Sequence, residues 1–426
     1  MPNDSPGDDS PLSHASAERR AFVRRSGALT AGMVTGLAPG GARPQAHLVG
    51  SDGPEKRELR VGFVPLTDCA PLVVAATAGF DVRHGIRIVL CREPSWASVR
   101  DKLLSGELDA AHALYGLVYA TQLGLGSVKR DMAVLMTLNQ NGQGITLSEG
   151  LRAAGVVDGP GFARWLGTAA RRCTLAQTFP AGTHALWLNY WLAAHGIHPG
   201  GDVQTTVVTP TRMVAGLRDG AIDGYCAGEP WNARAVFDRI GFTVATSQDI
   251  WPDHPEKVLG CTADFVDRHP NAARALVSAV LEASRHLEQR TDRAALARLL
   301  ADPAYVNTPA AVIESRLAGR YDDGRGRRWQ DAHAIRFHGD GQVNFPWLSD
   351  GLWFLTQFRR WGLVREHPDY MAVVRAVNRT DLYITAATRA GVAVPHEPMR
   401  RSVLMDGVVW DGTDPARYAG GFAVHA

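Results

Sequence analysis

The sequence predicts an α/β protein made of two similar lobes around a hinged cleft. Two stretches, residues 59–115 and 173–225, repeat the order strand, helix, strand, helix, strand. In both, the first helix ends at His-Gly-Ile, at residues 84–86 and 195–197. Short strands that alternate with helices are typical of parallel sheets covered by helices. A ligand of such lobes is expected at the carboxyl ends of the strands, which face each other across the cleft.

Composition indicates a globular chain that does not bind nucleic acid. The 426 residues are 45% hydrophobic and 21% charged, with a formal net charge of +2. These values are typical of a folded protein of two or three domains. No long basic run follows the first thirty residues, so nucleic acid is not an expected partner. No run of eighteen apolar residues occurs, so the mature chain is not expected to span a membrane.

The cysteines do not form a recognisable framework. Cys69, Cys91, Cys173, Cys226 and Cys261 are odd in number, far apart and without a CxxC pair. This spacing encodes neither a set of disulfides nor a zinc site, and buried free thiols are expected. The sequence therefore predicts no metal and no cofactor.

The first fifty residues differ from the rest. The segment Arg19-Arg20-Ala21-Phe22-Val23 precedes a weakly apolar, Gly/Ala-rich stretch at residues 26–39. Paired arginines before such a stretch are typical of a twin-arginine export signal, and a disordered basic arm is the alternative. We therefore assign residues 1–50 to a signal and linker, and expect a periplasmic protein. A cytoplasmic location is the alternative.

The turns after the first strands of the two repeats argue against nucleotide binding and catalysis. They read Pro-Leu-Thr-Asp at residues 65–68 and Pro-Ala-Gly-Thr at 180–183, neither of which is a Gly-rich nucleotide motif. GxSxG and HExxH are also absent. His112 is interpreted as a satisfied histidine at the end of a strand. The pattern favours a binding protein over an enzyme.

An oxyanion site needs one cation, several neutral donors and exclusion of water. Helix N-termini supply donors and positive potential. Lys257 is the candidate cation, and the amide-rich segment 138–144 is where the chain is expected to cross between the lobes. The candidate ligand-binding residues are Trp96, Gln143, Gly182, Thr183, His184 and Lys257. Candidate supporting residues behind them are Asp68, Asn141, Glu229 and Trp231. A free carboxylate would repel an anion, so Glu229 is expected to pair with Lys257 or with an arginine, and the alternative is that it helps to bind a protonated ligand or a cation.

These segments resemble the nitrate- and bicarbonate-binding proteins of ABC importers. The resemblance covers residues 59 to 412 and is carried by an ordered set of motifs. They are residues 62–68 (GFVPLTD), 95–97 (SWA), 108–112 (LDAAH), 141–143 (NGQ), 180–184 (PAGTH), 229–232 (EPWN), 256–260 (EKVLG) and 341–346 (GQVNFP).

The resemblance implies a type II periplasmic-binding-protein fold with an anion clamped between the lobes. It implies that Trp96, Gln143, His184 and Lys257 match the anion contacts of that family. The lysine favours nitrate or nitrite, which always carry a charge. Bicarbonate is the weaker alternative, because family members that bind it can use calcium and this sequence has no additional acidic cluster. The implied partner is an ABC permease in the inner membrane.

Two other functions are compatible with the same fold. The family includes cytoplasmic nitrate/nitrite sensors, which control an antiterminator protein and usually lack an export signal. Some pyrimidine-precursor synthases share the fold, but they require a pyridoxal lysine and a cysteine/histidine motif that this sequence lacks.

The predicted domain boundaries follow the repeats. Lobe 1 takes residues 58–142 plus 256–345, and lobe 2 takes residues 143–255. Residues 346–426 form a helical C-terminal extension that is expected to pack on lobe 1. A monomer is expected.

Overall fold

The computed structural model describes residues 53–426. The expected twin-arginine signal therefore lies outside the described residues. Within them, no helix is both long and apolar enough to cross a membrane.

The strands follow the predicted repeats and add several short hairpins. In chain order they are β1 (Glu58–Phe63), β2 (Arg87–Arg92), β3 (Ala110–Leu114), β4 (Met132–Asn141), β5 (Gln143–Ser148), β6 (Cys173–Gln177), β7 (Val203–Val207), β8 (Gly224–Gly228), β9 (Gly241–Thr246), β10 (Pro255–Thr262), β11 (Arg320–Asp322), β12 (Arg328–Gln330), β13 (Ile335–Arg336), β14 (Ser402–Val403) and β15 (Val409–Trp410).

The helices alternate with the strands in both lobes and dominate the C-terminal part. They are α1 (Ala70–Thr77), α2 (Phe80–Arg83), α3 (Trp96–Ser105), α4 (Tyr115–Leu123), α5 (Glu149–Ala153), α6 (Gly159–Leu166), α7 (Thr183–Ala194), α8 (Pro210–Arg218), α9 (Trp231–Phe237), α10 (Ser247–Ile250), α11 (Ala263–Arg268), α12 (Pro270–Arg290), α13 (Arg293–Ala301), α14 (Ala310–Leu317), α15 (Leu348–Arg360), α16 (Tyr370–Val377), α17 (Thr380–Arg389) and α18 (Pro415–Gly420), with short 3-10 turns at Thr67–Cys69 and Gly339–Gly341.

Two sheets confirm the two α/β lobes that the internal repeat predicts. The sheet of lobe 1 has the order β13-β4-β10-β3-β1-β2, and that of lobe 2 has the order β7-β6-β8-β5-β9. The strands of each repeat are parallel: β2 and β3 pair with β1, and β7 and β8 pair with β6. The strands at the crossing, β5 and β10, are antiparallel to their neighbours. Each sheet is therefore mixed rather than purely parallel.

Burial explains why these segments form regular elements. All ten residues of β4 are buried, as expected for a central strand that is covered on both faces. In α12, the predicted stripe of Leu276, Val280, Ala283 and Leu287 is fully buried. The five cysteines are free, and all of them except the partly buried Cys91 are buried.

The part of the chain from α14 to β12, which the predicted boundary assigns to lobe 1, also contacts lobe 2. Arg316 Nε lies 2.9 Å from Glu229 Oε1, and both side chains are buried. The Thr243 N–H donates to the Asp323 carbonyl at 3.0 Å. Ile313 and Leu317 of α14 nevertheless pack in the same hydrophobic cluster as Leu59 and Val61 of lobe 1, so this segment contacts both lobes.

The C-terminal extension contacts both lobes, whereas the sequence predicted packing on lobe 1. Tyr119 OH in α4 of lobe 1 donates to Asn378 Oδ1 at 2.7 Å. On the other side, Tyr190 OH in α7 donates to the Asp406 carboxylate at 2.8 Å. The Met405 N–H also donates to the Ile250 carbonyl at 2.8 Å. The extension therefore lies across one side of the junction between the lobes.

Candidate functional site

The cleft between the lobes is closed. Trp231 Nε1 of lobe 2 donates to the Pro65 carbonyl of lobe 1 at 3.0 Å. The Thr67 N–H donates to the Glu229 carbonyl at 2.8 Å. These contacts join the segment after β1 to the segment after β8, so the carboxyl ends of strands from both lobes meet here. The side chains between the lobes are consequently buried.

A charged triad lies at this junction. Lys257 Nζ in β10 donates to Asp68 Oδ2 at 2.9 Å and to Glu256 Oε1, and all three side chains are at most 1% exposed. Burial opposes ionisation of Asp68 and Glu256, but the ammonium of Lys257 holds the pKa of each carboxyl below its usual value. Burial likewise opposes the charge on Lys257, and the two carboxylates nevertheless raise its pKa. At neutral pH the triad therefore carries one net negative charge.

Three histidines surround the triad. His112 Nε2 lies 2.7 Å from Asp68 Oδ1, and His184 Nε2 lies 2.9 Å from Glu256 Oε1. His254 Nδ1 lies 3.7 Å from Glu256 Oε2. Burial lowers the pKa of His112 and of His184, and it lowers the pKa of His254 to about 3. All three rings are therefore neutral near pH 7.

Several polar side-chain atoms around the triad are buried without a partner. Among residues 53–426, the side-chain atoms Thr67 Oγ1, Trp96 Nε1, His112 Nδ1 and Thr183 Oγ1 accept and donate no hydrogen bond. An orphaned buried polar atom costs about 1–3 kcal/mol, so native structures rarely keep several together without a reason. These atoms come from both lobes. An anion held between them would accept hydrogen bonds from the two hydroxyls and the indole N–H.

The start of α7 adds backbone donors. Gly182 is its N-cap, and within the described chain no side chain caps this helix. A Cβ at Gly182 would lie 2.6 Å from Leu114 Cδ1, so a larger residue would require this side chain of lobe 1 to move. The first N–H groups and the positive end of the helix dipole therefore act at the cleft.

Two further candidates also contact the triad. Lys257 Nζ lies 5.7 Å from the ring centroid of Trp96. The Gln143 amide, in the orientation its neighbours require, donates to Glu256 Oε2 at 2.8 Å. The structure therefore brings together Trp96, Gln143, Thr183, His184, Lys257 and Asp68, which were all predicted.

The remaining predicted residues join segments of the two lobes to each other and do not surround the triad. Asn141 Nδ2 donates to the His333 carbonyl at 2.7 Å, at the point where the chain crosses between lobes. Glu229 pairs with Arg316, which is the arginine alternative of the prediction. Trp231 supplies the interlobe bond to Pro65.

Sequence reasoning missed the roles of Glu256 and His112. Neighbouring residues of a regular strand point to opposite faces, which separates Glu256 from Lys257. In the structure, the register of β10 against β4 shifts on both sides of Lys257, and the two side chains meet. Such a bulge leaves no mark in a single sequence. His112 was interpreted as satisfied, but only its Nε2 has a partner among the described residues.

Comparison with known proteins fits this geometry. A family model described as NMT1-like family matches residues 52–301. The nitrate/nitrite binding protein NrtA from Nostoc sp. (strain PCC 7120) is 34% identical over 440 residues, which is 96% of this chain and 98% of that protein. The chain therefore belongs to the NMT1-like family. The resemblance inferred from the motifs is confirmed.

A solved structure supports the fold assignment. The crystal structure of the periplasmic nitrate-binding protein NrtA from Synechocystis PCC 6803 matches with a TM-score of 0.84 at 33% identity, covering 87% of this chain and 100% of that one. The predicted periplasmic-binding-protein fold is thus confirmed. The nitrate import ATP-binding protein NrtC from Synechocystis sp. is 37% identical over 383 residues, or 89% of this chain. The chain spans only 57% of that relative. Bicarbonate transport proteins of Synechococcus elongatus also match.

Proposed function

We propose that this protein is the solute-binding receptor of an ABC importer and that it binds nitrate or nitrite between its lobes. The observation that carries the proposal is the buried ammonium of Lys257 among unpartnered donors of both lobes. Two of the three N–H groups of Lys257 contact carboxylates, and in the described chain the third has no partner. Its relatives named for nitrate support the same ligand.

The site suits a small, weakly basic anion. Neutral donors such as the Trp96 indole and the Thr183 hydroxyl stabilise charge without titrating themselves. Exclusion of water lowers the local dielectric constant and strengthens each of these contacts. Binding occurs by closure of the lobes on the ligand, and no bond of the ligand is made or broken.

Bicarbonate is the second candidate ligand. Relatives named for bicarbonate transport match most of the chain. The carboxylates of Asp68 and Glu256 also lie within the site, which is compatible with a ligand that carries its own hydrogen-bond donor.

Titration calorimetry with nitrate, nitrite and bicarbonate tests the ligand. We expect saturable heat with nitrate or nitrite and unchanged ligand recovered afterwards. Lys257→Gln should weaken binding by two orders of magnitude or more, since a buried charged hydrogen bond contributes about 1.5–3 kcal/mol and the remaining carboxylates repel the anion. Lys129→Gln, at an exposed lysine, is the matched control. Heat with bicarbonate alone would overturn the nitrate assignment.

The partner and the compartment form the second part of the proposal. We infer delivery to a membrane permease from the periplasm, with a cytoplasmic sensor that controls an antiterminator protein as the alternative. The twin arginine at residues 19–20 favours export. N-terminal sequencing of the native protein decides between the two: a start near residue 47 supports export, whereas an intact cytoplasmic chain supports the sensor.

A further inference from the structure

The charges in the closed cleft create a problem for any anion. The triad of Asp68, Glu256 and Lys257 carries one net negative charge, and a bound monovalent anion adds a second. Two uncompensated negative charges in a site without water are strongly unfavourable. The histidines that face the triad are His112, His184 and His254, with Arg400 further away behind His254. The thiols of Cys69 and Cys226 also lie near it, but burial raises the pKa of each, so they stay neutral.

Two of these histidines do not need an additional proton. His184 Nε2 faces the Glu256 carboxylate, and its Nδ1 lies 2.7 Å from Thr178 Oγ1, whose hydroxyl can donate to it. The neutral ring of His184 is therefore satisfied at both nitrogens. His254 has no hydrogen-bond partner at either ring nitrogen in residues 53–426, but it packs against Trp251 and Trp187 with ring centroids at 4.9 and 5.6 Å, and these apolar neighbours disfavour a charge.

His112 is different, because its partner fixes its tautomer. The Asp68 carboxylate can only accept, so His112 Nε2 at 2.7 Å must carry the hydrogen. In the neutral ring, Nδ1 is then a bare acceptor. That atom is buried and has no partner in residues 53–426, and its ring contacts Trp96 at 5.4 Å between centroids. A lone pair at this position would repel an anion, whereas an N–H would bind it.

We propose that the cleft binds its anion together with one proton, and that His112 holds this proton while donating Nε2–H to Asp68 and Nδ1–H to the anion. The inference rests on the proposed function and adds a binding residue to it. The reaction is the association of neutral His112, a proton and the anion, with no covalent change. The charge of the closed cleft is then the same with and without ligand.

The consequence is an affinity that depends on pH with a defined sign. Proton uptake on binding means that the pKa of His112 is higher in the complex than in the free protein. Between these two values the association constant falls by about tenfold for each unit of rising pH. Burial lowers the pKa of His112 in the free closed form, so the lower edge of this window lies below the ordinary histidine value, and its upper edge is the raised pKa of the complex.

Calorimetry on the wild-type chain tests the inference. Nitrate is titrated at pH 7.5 in phosphate and in Tris, whose ionisation enthalpies differ, and the dependence of the heat on buffer gives the number of protons taken up. We expect one proton, and an affinity about tenfold weaker at pH 8.5 than at pH 7.5. Binding without proton uptake overturns the inference and leaves the proposed function intact. Absence of binding by nitrate and nitrite overturns the proposed function itself.

Variants assign the proton to a residue. His112→Gln keeps an amide donor towards Asp68. For this variant we expect the number of protons taken up on binding to fall to zero and the affinity for nitrate to become independent of pH. His184→Gln should retain an uptake of one proton even where binding is weaker. His425→Gln, at an exposed histidine, is the matched control for both proton uptake and affinity. Retained uptake in a folded His112→Gln protein would overturn the assignment to His112.

Discussion

Two buried ionic clusters join the lobes of this protein, and they differ in how completely their hydrogen bonds are satisfied. Glu229 receives Arg316 Nε at one oxygen and the Ala233 N–H at the other, each within 3.0 Å. Arg316 also donates to the Arg320 carbonyl. Around the triad of Asp68, Glu256 and Lys257, by contrast, several buried side-chain atoms have no partner within residues 53–426, and both ring nitrogens of His254 are among them.

The difference separates two tasks that similar residues perform. A saturated cluster has no atom left for a ligand, so Glu229 and Arg316 fix α14 to lobe 2. An unsaturated cluster costs stability until a ligand completes it. The contrast predicts that mutations of the first cluster act on folding, whereas mutations of the second act on binding.

The largest expected effect is that of Arg316→Met. This change leaves the Glu229 carboxylate buried and without its cation, which should lower the free energy of unfolding by about 3–5 kcal/mol. Urea denaturation followed by circular dichroism measures it. Arg320→Met is the control, because the pair of Arg320 with Glu314 is largely exposed. Equal losses in the two variants would contradict the assigned role of the buried pair.

Trp96→Phe should reduce affinity with little effect on stability. Phenylalanine keeps an aromatic ring beside Lys257 and removes only the unpartnered indole N–H. Loss of one hydrogen bond to a charged ligand should weaken nitrate binding by about 1.5–3 kcal/mol in calorimetry. Denaturation should be nearly unchanged. A substantial loss of stability without loss of affinity would show that the indole belongs to the core and not to the site.

The pH dependence of stability provides a third test of the triad. Burial lowers the pKa of His112, His184 and His254, so the unfolded chain binds protons that the folded chain does not. The contribution of these neutral rings to stability should therefore be complete above the pKa of histidine in the unfolded chain. The free energy of unfolding should decrease as pH falls below about 6.5, by about 1.4 kcal/mol per pH unit for each histidine. Thermal denaturation between pH 7 and 5 measures this. Saturating nitrate should reduce the slope by the contribution of one histidine.

The smallest effect is expected at an exposed pair. Arg218 Nη2 lies 2.7 Å from Asp238 Oδ2, but the side chain of Arg218 is 50% exposed. Arg218→Gln should change the free energy of unfolding by less than about 1 kcal/mol. Urea denaturation of Arg218→Gln and Arg316→Met under the same conditions compares the two pairs directly. If both variants lost the same free energy of unfolding, burial would not explain why one pair stabilises the fold more than the other.

Much of the fold could be predicted because it is encoded locally. The repeated order of strands and helices, and the shared His-Gly-Ile punctuation, identified both lobes and the side of the sheets where the site lies. The contact of α14 with lobe 2 could not be predicted, because it depends on the pair of Arg316 with Glu229, which are 87 residues apart. Nothing near either residue indicates that partner.

The site was predictable to the extent that motifs carry it. The resemblance supplied Trp96, Gln143, His184 and Lys257, and the structure brings them together. It did not supply Glu256 as a partner of Lys257, because that contact depends on the irregular register of β10. It also did not supply the free nitrogen of His112, since this depends on where Asp68 lies after folding.

The bonds from Trp231 to Pro65 and from Thr67 to Glu229 have a kinetic consequence. They join the lobes beside a site whose side chains are buried, so an ion in the site is enclosed by both lobes. A bound ion leaves only after the lobes separate, and the rate of that separation is a property of the protein. The dissociation rate therefore has an upper limit set by opening of the lobes, and this limit is the same for every ion that fits.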